Sequence, residues 1–298
     1  MYWNSLNESL RAEYGTKVYK LALSSGCSCP NRDGTLGTKG CIFCDGAGAF
    51  AETGDISAQL NAAKARVSAK IGKNGRYIAY FQSFTNTYGF VERLRKLYME
   101  AITEPEVVIL SVATRPDCLG AEVLDLLAEL NAVKPVWVEL GLQTIHPETA
   151  AYIRRGYALP VYEQAVKQLR SIGVTVVAHQ ILGLPGETHQ MMVETARYIG
   201  ASGAHGVKFH LLHVLRGTDL AVDWQAGMFQ TLEMEEYIEV LEDCVRHIPR
   251  EMVIHRLTGD GAKRDLLAPL WSGDKKRVLN AINAAFLRDD LEQGSALA

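Results

Sequence analysis

No stretch of this 298-residue chain approaches the roughly 20 consecutive apolar residues that a membrane span requires. The opening MYWNSLNESLRAEYG is too polar for a signal peptide. A cytoplasmic protein with no membrane partner is therefore expected. Neither charge is in large excess, since 31 Lys and Arg stand against 34 Asp and Glu for a formal net charge of -3. Such a balance exerts no global pull on nucleic acid, so RNA contact has to rest on local basic patches. The candidates are Lys263-Arg264 and Lys275-Lys276-Arg277, the second reading better as a solvated helix face. Linkers rich in Gly, Ser or Pro are missing, as are low-complexity segments, and one domain over residues 1–298 is expected. Cysteine is sparse at six residues, and a chain of this length buries enough core to need no disulfide staples.

Four of those cysteines crowd into Gly26 to Asp45, GCSCPNRDGTLGTKGCIFCD. In a reducing compartment such a cluster reads as metal or redox ligands before disulfides. Cys41-Ile-Phe-Cys44 has metal-hairpin spacing, and the Gly-rich loop before it lets Cys29 fold back to the same centre. Three readings compete: a closed zinc site on Cys27, Cys29, Cys41 and Cys44, an iron-sulfur cluster on the last three alone, or unligated loop cysteines. Placement favours a working cluster, because the loop sits where a βα fold puts its active site. Cys27 reads better as a small apolar residue packed under the loop.

Apolar runs and helical periods alternate along the rest of the chain. Strands are expected at Val18 to Ser24, Tyr77 to Phe81, Val107 to Val112, Val136 to Leu140, Val174 to Ala178 and Val207 to Leu212. Between them lie amphipathic helices, among them Ile56 to Ile71 behind the cap Asp55 and one with Phe90, Leu94, Leu97 and Tyr98 on one face. Gly173 reads as a left-handed helix stop. Six such units point to a parallel α/β sheet, either a partial (β/α)6 TIM-type barrel or an open doubly wound sheet, with ligands at the carboxyl ends of the strands. The core spans about residues 15–220. A C-terminal helical extension follows to residue 298, with an acidic helix at Leu232 to Ile248, a possible strand at Met252 to Leu257 and a frayed tail.

The segments CPNRDGT, CIFC, FTNTY, ATRPDCL, ELGLQT, IRRGY, GLPGET and KFHLLHVLRGT, with HRLTGD and APLWS near the end, occur in an order that resembles radical S-adenosylmethionine enzymes. The branch is the bacterial YhcC/YtqA (MnmL) type, related to the catalytic subunit of Elongator. The resemblance runs from about Tyr2 to Gly294. It departs at Cys27, where the family usually carries an aromatic residue, and in the wide Cys29-x11-Cys41-x2-Cys44 spacing, which is the form of this branch.

The resemblance implies a partial barrel, a [4Fe-4S] cluster on Cys29, Cys41 and Cys44, and S-adenosyl-L-methionine bound to the open iron to release a 5'-deoxyadenosyl radical. Phe43 resembles the residue that packs on the adenine. Gln82, Ser83 and Thr85 occupy the place of a Gly-Gly-Glu motif that holds the methionine amine in many relatives. Gln143 and Arg155 correspond to ribose and carboxylate contacts, and Thr114 of ATRPDCL joins this cofactor set. Gly183, Pro185 and Gly186 resemble a turn that lets backbone approach the adenine. His179, Lys208, His210 and His213, at the ends of the fifth and sixth strands, are the catalytic candidates, with Glu139 as a buried polar partner.

The implied reaction converts a carboxymethylaminomethyl side chain to aminomethyl on the wobble uridine of tRNA, with an electron donor such as flavodoxin or ferredoxin. The rival readings are radical chemistry on a small molecule and a metal-bearing RNA-binding module without radical chemistry.

Overall fold

The computed structural model describes residues 2–46, 54–71, 74–259 and 263–297. Asp260, the last residue of HRLTGD, lies outside them, as do Met1 and Ala298. In chain order the first half holds α1 (Leu6–Tyr14), β1 (Val18–Leu23), α2 (Ile56–Ile71), β2 (Arg76–Phe81), α3 (Val91–Thr103), β3 (Val107–Thr114), α4 (Ala121–Asn131) and β4 (Val136–Gln143). The second half holds α5 (Pro147–Tyr152), α6 (Leu159–Ser171), β5 (Thr175–Leu182), α7 (His189–Ala201), β6 (Gly206–Leu211), β7 (Val214–Leu215), α8 (Asp219–Gln225), α9 (Met234–Arg246), β8 (Val253–Arg256), β9 (Leu266–Ala268) and α10 (Lys275–Arg288).

Strand alternation sorts the side chains onto two faces. Leu21, Leu23, Ala79, Phe81, Leu110, Val112, Val138, Leu140, Val176 and Ala178 face the helices in one large apolar core. The sheet is parallel throughout, in the order β1-β2-β3-β4-β5-β6-β8, and curls into a half barrel. On the inner face, Val18, Ile78, Ile109 and Trp137 pack with Leu10 of α1, so that helix plugs one end. Asp55 caps α2 by accepting from the Ala58 N–H at 2.7 Å. Gly173 ends α6 at φ +75°, a conformation that costs an L side chain about 1 kcal/mol or more.

The possible strand at Met252 to Leu257 is present as β8, and three features differ from the sequence reading. The segment around Met252 to Leu257 supplies a seventh strand, because β8 pairs parallel with β6 while the Ile254 N–H donates to Asn4 O at 2.9 Å on its outer edge. β5 runs to Leu182, four residues past the expected end, so His179 lies inside a strand and not at its exit. Phe90 is the residue before α3 and is 87% exposed, outside the buried stripe of Leu94 and Tyr98. The tail is docked and not frayed: Leu291 and Gln293 are buried, and the Gln293 amide donates to Pro249 O at 2.6 Å and Met252 O at 2.9 Å.

Candidate active site

Backbone hydrogen bonds fold the cysteine loop onto itself. The N–H groups of Arg32 and Asp33 donate to Cys29 O at 2.8 and 3.2 Å, Gly40 N–H donates to Asn31 O at 2.7 Å, and Cys44 N–H closes a turn onto Cys41 O at 3.0 Å. Thr85 N–H to Ser28 O (3.2 Å) ties the loop to the segment after β2, and Ile42 N–H to Ile153 O (3.3 Å) ties it to the end of α5. Gly40 and Gly46 both have positive φ, and a Cβ on either would meet the Arg32 guanidinium at 2.8 and 2.7 Å. Arg32 in turn donates to Cys44 O at 2.6 Å, so the loop is wrapped around a cation.

Cys29, Cys41 and Cys44 consequently line one cavity of about 270 Å³ together with Phe43. Cys27 does not. It is 8% exposed within the main core, its Sγ 4.0 Å from Asn86 O and 3.7 Å from the Arg93 guanidinium. Among the described residues no three His, Cys, Asp or Glu side chains converge on a single metal ion, the geometry a four-cysteine zinc site needs. A three-cysteine cluster spreads its ligands over separate irons, and the donor set suits it. Burial, followed by the adjacent Cys44, pushes the Cys41 thiol up to about 11. Bare thiolates are therefore costly here, and the positive charge of bound iron removes that cost. Asn31 donates to Arg154 O at 2.7 Å and reaches Cys41 Sγ at 3.5 Å, fixing that thiol's orientation.

Backbone strain gathers at the same cavity. Phe84, Gln143 and Arg154 have φ of 62°, 69° and 57°, and Phe84 and Gln143 line the cavity. Strained non-glycine residues persist where surrounding structure over-determines them, commonly at binding sites. Arg155 is 4% exposed; it donates to Leu142 O at 3.2 Å, Thr144 O at 2.5 Å and Tyr157 O at 3.1 Å. It is thus a brace for the end of β4 and not a surface ion pair. Arg115 forms a bidentate pair with Asp117 (2.9 and 2.6 Å) and donates to Arg155 O at 2.9 Å, also on the cavity wall.

Below the cavity lies a polar layer built on Glu139, which is fully buried. Its Oε1 accepts from Lys20 at 2.7 Å and Ser111 at 3.0 Å, and its Oε2 from Lys208 at 2.8 Å and Tyr80 at 3.0 Å. His179 Nε2 completes the set at 2.8 Å from Oε2. Burial alone would raise the Glu139 carboxyl, but Lys20, Lys208 and His179 outweigh it and hold the group well below the carboxylate range. Burial, with Lys208 beside it, lowers His179 to about 4. His210, tilted against His179 at 4.9 Å between ring centroids, and His255 are likewise held far below the usual imidazole value, chiefly by burial.

These histidines are neutral in the folded protein below the pH at which they protonate when unfolded. The unfolded chain therefore binds more protons as pH falls below about 6.5. Their contribution to stability is complete above that value and is lost on acidification toward pH 4. Thermal melts of the cluster-loaded protein under anaerobic conditions are expected to lose about 1.4 kcal/mol per pH unit per histidine across that window. A melting temperature unchanged between pH 7 and 5 contradicts the assignment of neutral buried imidazoles.

The structure brings Cys29, Cys41, Cys44, Phe43, Gln82, Thr85, Thr114, Gln143, Arg155 and His179 onto the cavity wall. Ser83, Gly183, Pro185, Lys208, His210 and His213 are not on it. Lys208 is the third residue of β6, in mid-barrel and not at the strand's exit, and reaches the cavity only through Glu139. Gly183 follows β5 at φ +86°, with Gly186 at +84°, so both turns demand glycine. Sequence reasoning missed Asn31, Arg115 and Tyr157, although each stands inside a motif that carried the resemblance. It also missed Lys20 and Tyr80, whose signal was a lysine within the otherwise apolar strand VYKLAL.

Comparison with known proteins completes this picture. Residues 29–199 match the Radical SAM superfamily and residues 204–288 match the Radical_SAM C-terminal domain. The YtqA protein of Bacillus subtilis (strain 168) is 45% identical over 285 residues, 94% of this chain and 88% of that protein. Escherichia coli (strain K12) YhcC is 38% identical over 295 residues, 99% of this chain and 95% of that one. The tRNA uridine(34) acetyltransferase of Methanocaldococcus jannaschii is 28% identical over 160 residues, which are 53% of this chain and 29% of that protein. Among solved structures, archaeal Methanocaldococcus infernus Elp3 superposes with a TM-score of 0.71 at 19% identity, covering 93% of this chain and 64% of that one. The half-barrel fold, the three-cysteine cavity and these matches agree, and the chain belongs to the Radical SAM superfamily, whose enzymes use a [4Fe-4S] cluster and S-adenosylmethionine.

Proposed function

We propose that this radical enzyme acts on the wobble uridine of tRNA, converting a carboxymethylaminomethyl side chain to aminomethyl. The observation that carries this reading is the 28% identity to a protein named for chemistry at uridine 34, over about half of the present chain. When bound, the cluster and S-adenosylmethionine would supply a 5'-deoxyadenosyl radical to take a hydrogen atom from the methylene beside the amine; with S-adenosylmethionine as two-electron acceptor and water as co-substrate, the nitrogen–methylene bond breaks and the two-carbon unit leaves as glyoxylate.

The residues then divide the work. Cys29, Cys41 and Cys44 hold the cluster, Asn31 orients Cys41, and Arg32 holds the loop closed around it. Phe43 and Tyr157 offer apolar surface to the adenosyl group. Gln82, Thr85, Thr114 and Gln143 supply polar atoms along the wall, with Arg155 bracing the segment that carries Gln143. Ser83 adjoins Gln82 in the segment after β2, while Gly183 and Pro185 lie off the wall. Glu139 fixes Lys208 and His179 beneath the cavity, while His210 and His213 extend this layer toward the end of β6. A low-potential donor such as flavodoxin or ferredoxin would supply the electron, and a cytoplasmic setting would supply both donor and tRNA.

Mass spectrometry of tRNA nucleosides from cells with and without the gene tests the reading. The aminomethyl form is expected to fall and the carboxymethylaminomethyl form to accumulate when the gene is lost. An unchanged wobble profile overturns it.

A further inference from the structure

β1 and β8 end the sheet, and a second cavity of about 540 Å³ opens between them on the far side of the Glu139 layer. Lys20, Tyr80 and Lys208 line this cleft, while Glu139 and His179 line the cofactor cavity. Gln82 belongs to both, so the two spaces share a wall. Hydrogen bonds run through that wall without a break: Lys208 Nζ donates to Glu139 Oε2 at 2.8 Å, and His179 Nε2 lies 2.8 Å from the same oxygen.

The layer places two amines on one carboxylate, Lys20 on Oε1 at 2.7 Å and Lys208 on Oε2. Compensating Glu139 takes a single ammonium, and a second buried charge is costly. The two amines are not equivalent, since the Lys20 side chain keeps 23% of its surface exposed and Lys208 keeps 6%. Release of a proton by Lys208 leaves Lys20 and Glu139 as a balanced pair. It also frees a lone pair on Nζ in the cleft wall, 2.8 Å from the Tyr80 hydroxyl. Burial, followed by Lys20 and Arg256, lowers Lys208 to about 7 against the pull of Glu139, in keeping with that charge balance. A lysine that gives up and regains a proton near neutrality is suited to general acid–base work.

We infer that Lys208 is the proton-transferring group for the hydrolytic half of the reaction, taking a proton from the attacking water in the cleft and returning it to the departing nitrogen. The assignment rests on the wobble-uridine reading for the substrate and on the Glu139 layer for the group. Once the methylene has lost a hydrogen atom and one electron, both accepted by S-adenosylmethionine, the substrate is a protonated imine. The water oxygen bonds to its carbon as Lys208 Nζ accepts a water proton, and the carbon–nitrogen π pair moves to nitrogen. The resulting carbinolamine then breaks its carbon–nitrogen bond. Lys208 gives its proton to that nitrogen, the hydroxyl proton passes to solvent as the carbonyl forms, and the aminomethyl product and glyoxylate separate.

The groups that face Lys208 are Lys20 from β1, Tyr80 from β2, Glu139 from β4, His179 from β5, His210 from β6 itself, and His255 and Arg256 from β8. The three histidines are held below the usual imidazole value, Glu139 below the carboxylate range and Tyr80 above the phenol range. Water attack needs the neutral amine, so hydrolysis is expected to quicken as pH rises through about 7.

Single turnovers of the cluster-loaded protein on tRNA carrying 5-carboxymethylaminomethyluridine test this, using wild type, Lys208→Met and Lys208→Arg. Both variants leave Glu139 a cationic partner, and melting curves and iron content verify their fold. Each reaction is stopped with sodium borodeuteride, which reduces any imine back to substrate bearing one deuterium. Wild type is expected to release glyoxylate with little deuterated substrate. Both variants are expected to slow glyoxylate release by about 100-fold or more, the usual scale of general acid–base catalysis, and to accumulate deuterated substrate after one round of 5'-deoxyadenosine. Arginine preserves the charge beside Glu139 and stays protonated, so it does not restore a proton acceptor. Rescue by Lys208→Arg makes Lys208 a structural counter-ion and overturns the proposal.

A deuterated carboxymethyl group found on Lys208 itself makes the residue a nucleophile toward the imine and overturns the proton-transfer role as well. Wild type that forms no glyoxylate sinks the wobble-uridine reading and this role with it, whereas active wild type matched by both variants sinks the role alone. In wild type carrying carbon-13 lysine, the Lys208 ε-carbon resonance, assigned by its loss in Lys208→Arg, is expected to titrate near pH 7. A resonance that stays at its ammonium position to about pH 9 refutes the role without reference to turnover.

Discussion

Replacing Cys29, Cys41 or Cys44 singly by alanine is expected to remove the cluster and lower 5'-deoxyadenosine formation by roughly 100-fold or more, whereas Cys27→Ala retains both. Changes to groups that merely support metal ligands already cost about 10- to 100-fold, so loss of a ligand sets the larger effect. The contrast follows from geometry. The three cysteines line one cavity, while Cys27 turns its sulfur toward Asn86 and Arg93 in the apolar core. Iron and sulfide analysis after anaerobic reconstitution, with the visible spectrum, measures the effect. A Cys27→Ala protein as depleted in iron as Cys29→Ala would refute the three-ligand assignment. Because Cys27 is buried, its truncation should instead cost about 1 kcal/mol in stability.

The second large effect is expected at Glu139. Alanine at this position strands Lys20 and Lys208 without their shared carboxylate, along with the hydrogen bonds of Ser111, Tyr80 and His179. Breaking a buried ion pair by removing one side typically costs about 3–5 kcal/mol. For a chain of this size that corresponds to a melting temperature lower by on the order of 10 °C. Removing the charges together is far milder, since well-packed apolar replacements of buried ion pairs are often neutral. Glu139→Leu combined with Lys208→Met and Lys20→Met should therefore recover much of the loss in melting temperature while abolishing turnover. A triple variant as unstable as Glu139→Ala would show that the layer contributes shape and not compensated charge.

This pairing explains what could be read from residues and what could not. The strand and helix pattern was legible because each element carries its own period. VYKLAL, RYIAYF and VVILSVAT are apolar enough for a sheet covered on one face by helices, and Asp55 and Gly173 mark helix ends by local chemistry. The candidate ligands were legible because CxxC is a local spacing and Cys29 lies one loop before it.

Contacts between distant segments were not legible. β8 is only four residues long, and its membership of the sheet depends on Val207 and on the N-terminal segment beside it. The docked tail depends on Gln293 meeting carbonyls more than 40 residues away in sequence. Glu139 was readable as a buried polar residue, but its partners lie on five other strands or their neighbours, and no local pattern predicts which inward positions meet.

The sequence by itself determined the family and the order of elements and confined the candidate ligands to the cysteines of one loop, since these are encoded by short motifs or by periodicity. Tertiary structure alone decided that Cys27 packs in the apolar core away from the cavity lined by Cys29, Cys41 and Cys44, that Lys208 belongs to a buried ion network in mid-barrel, and that a second cleft shares Gln82 with that cavity. The physical reason is that side-chain charge and burial acquire meaning only once the sheet curls and brings strands remote in sequence to a common face.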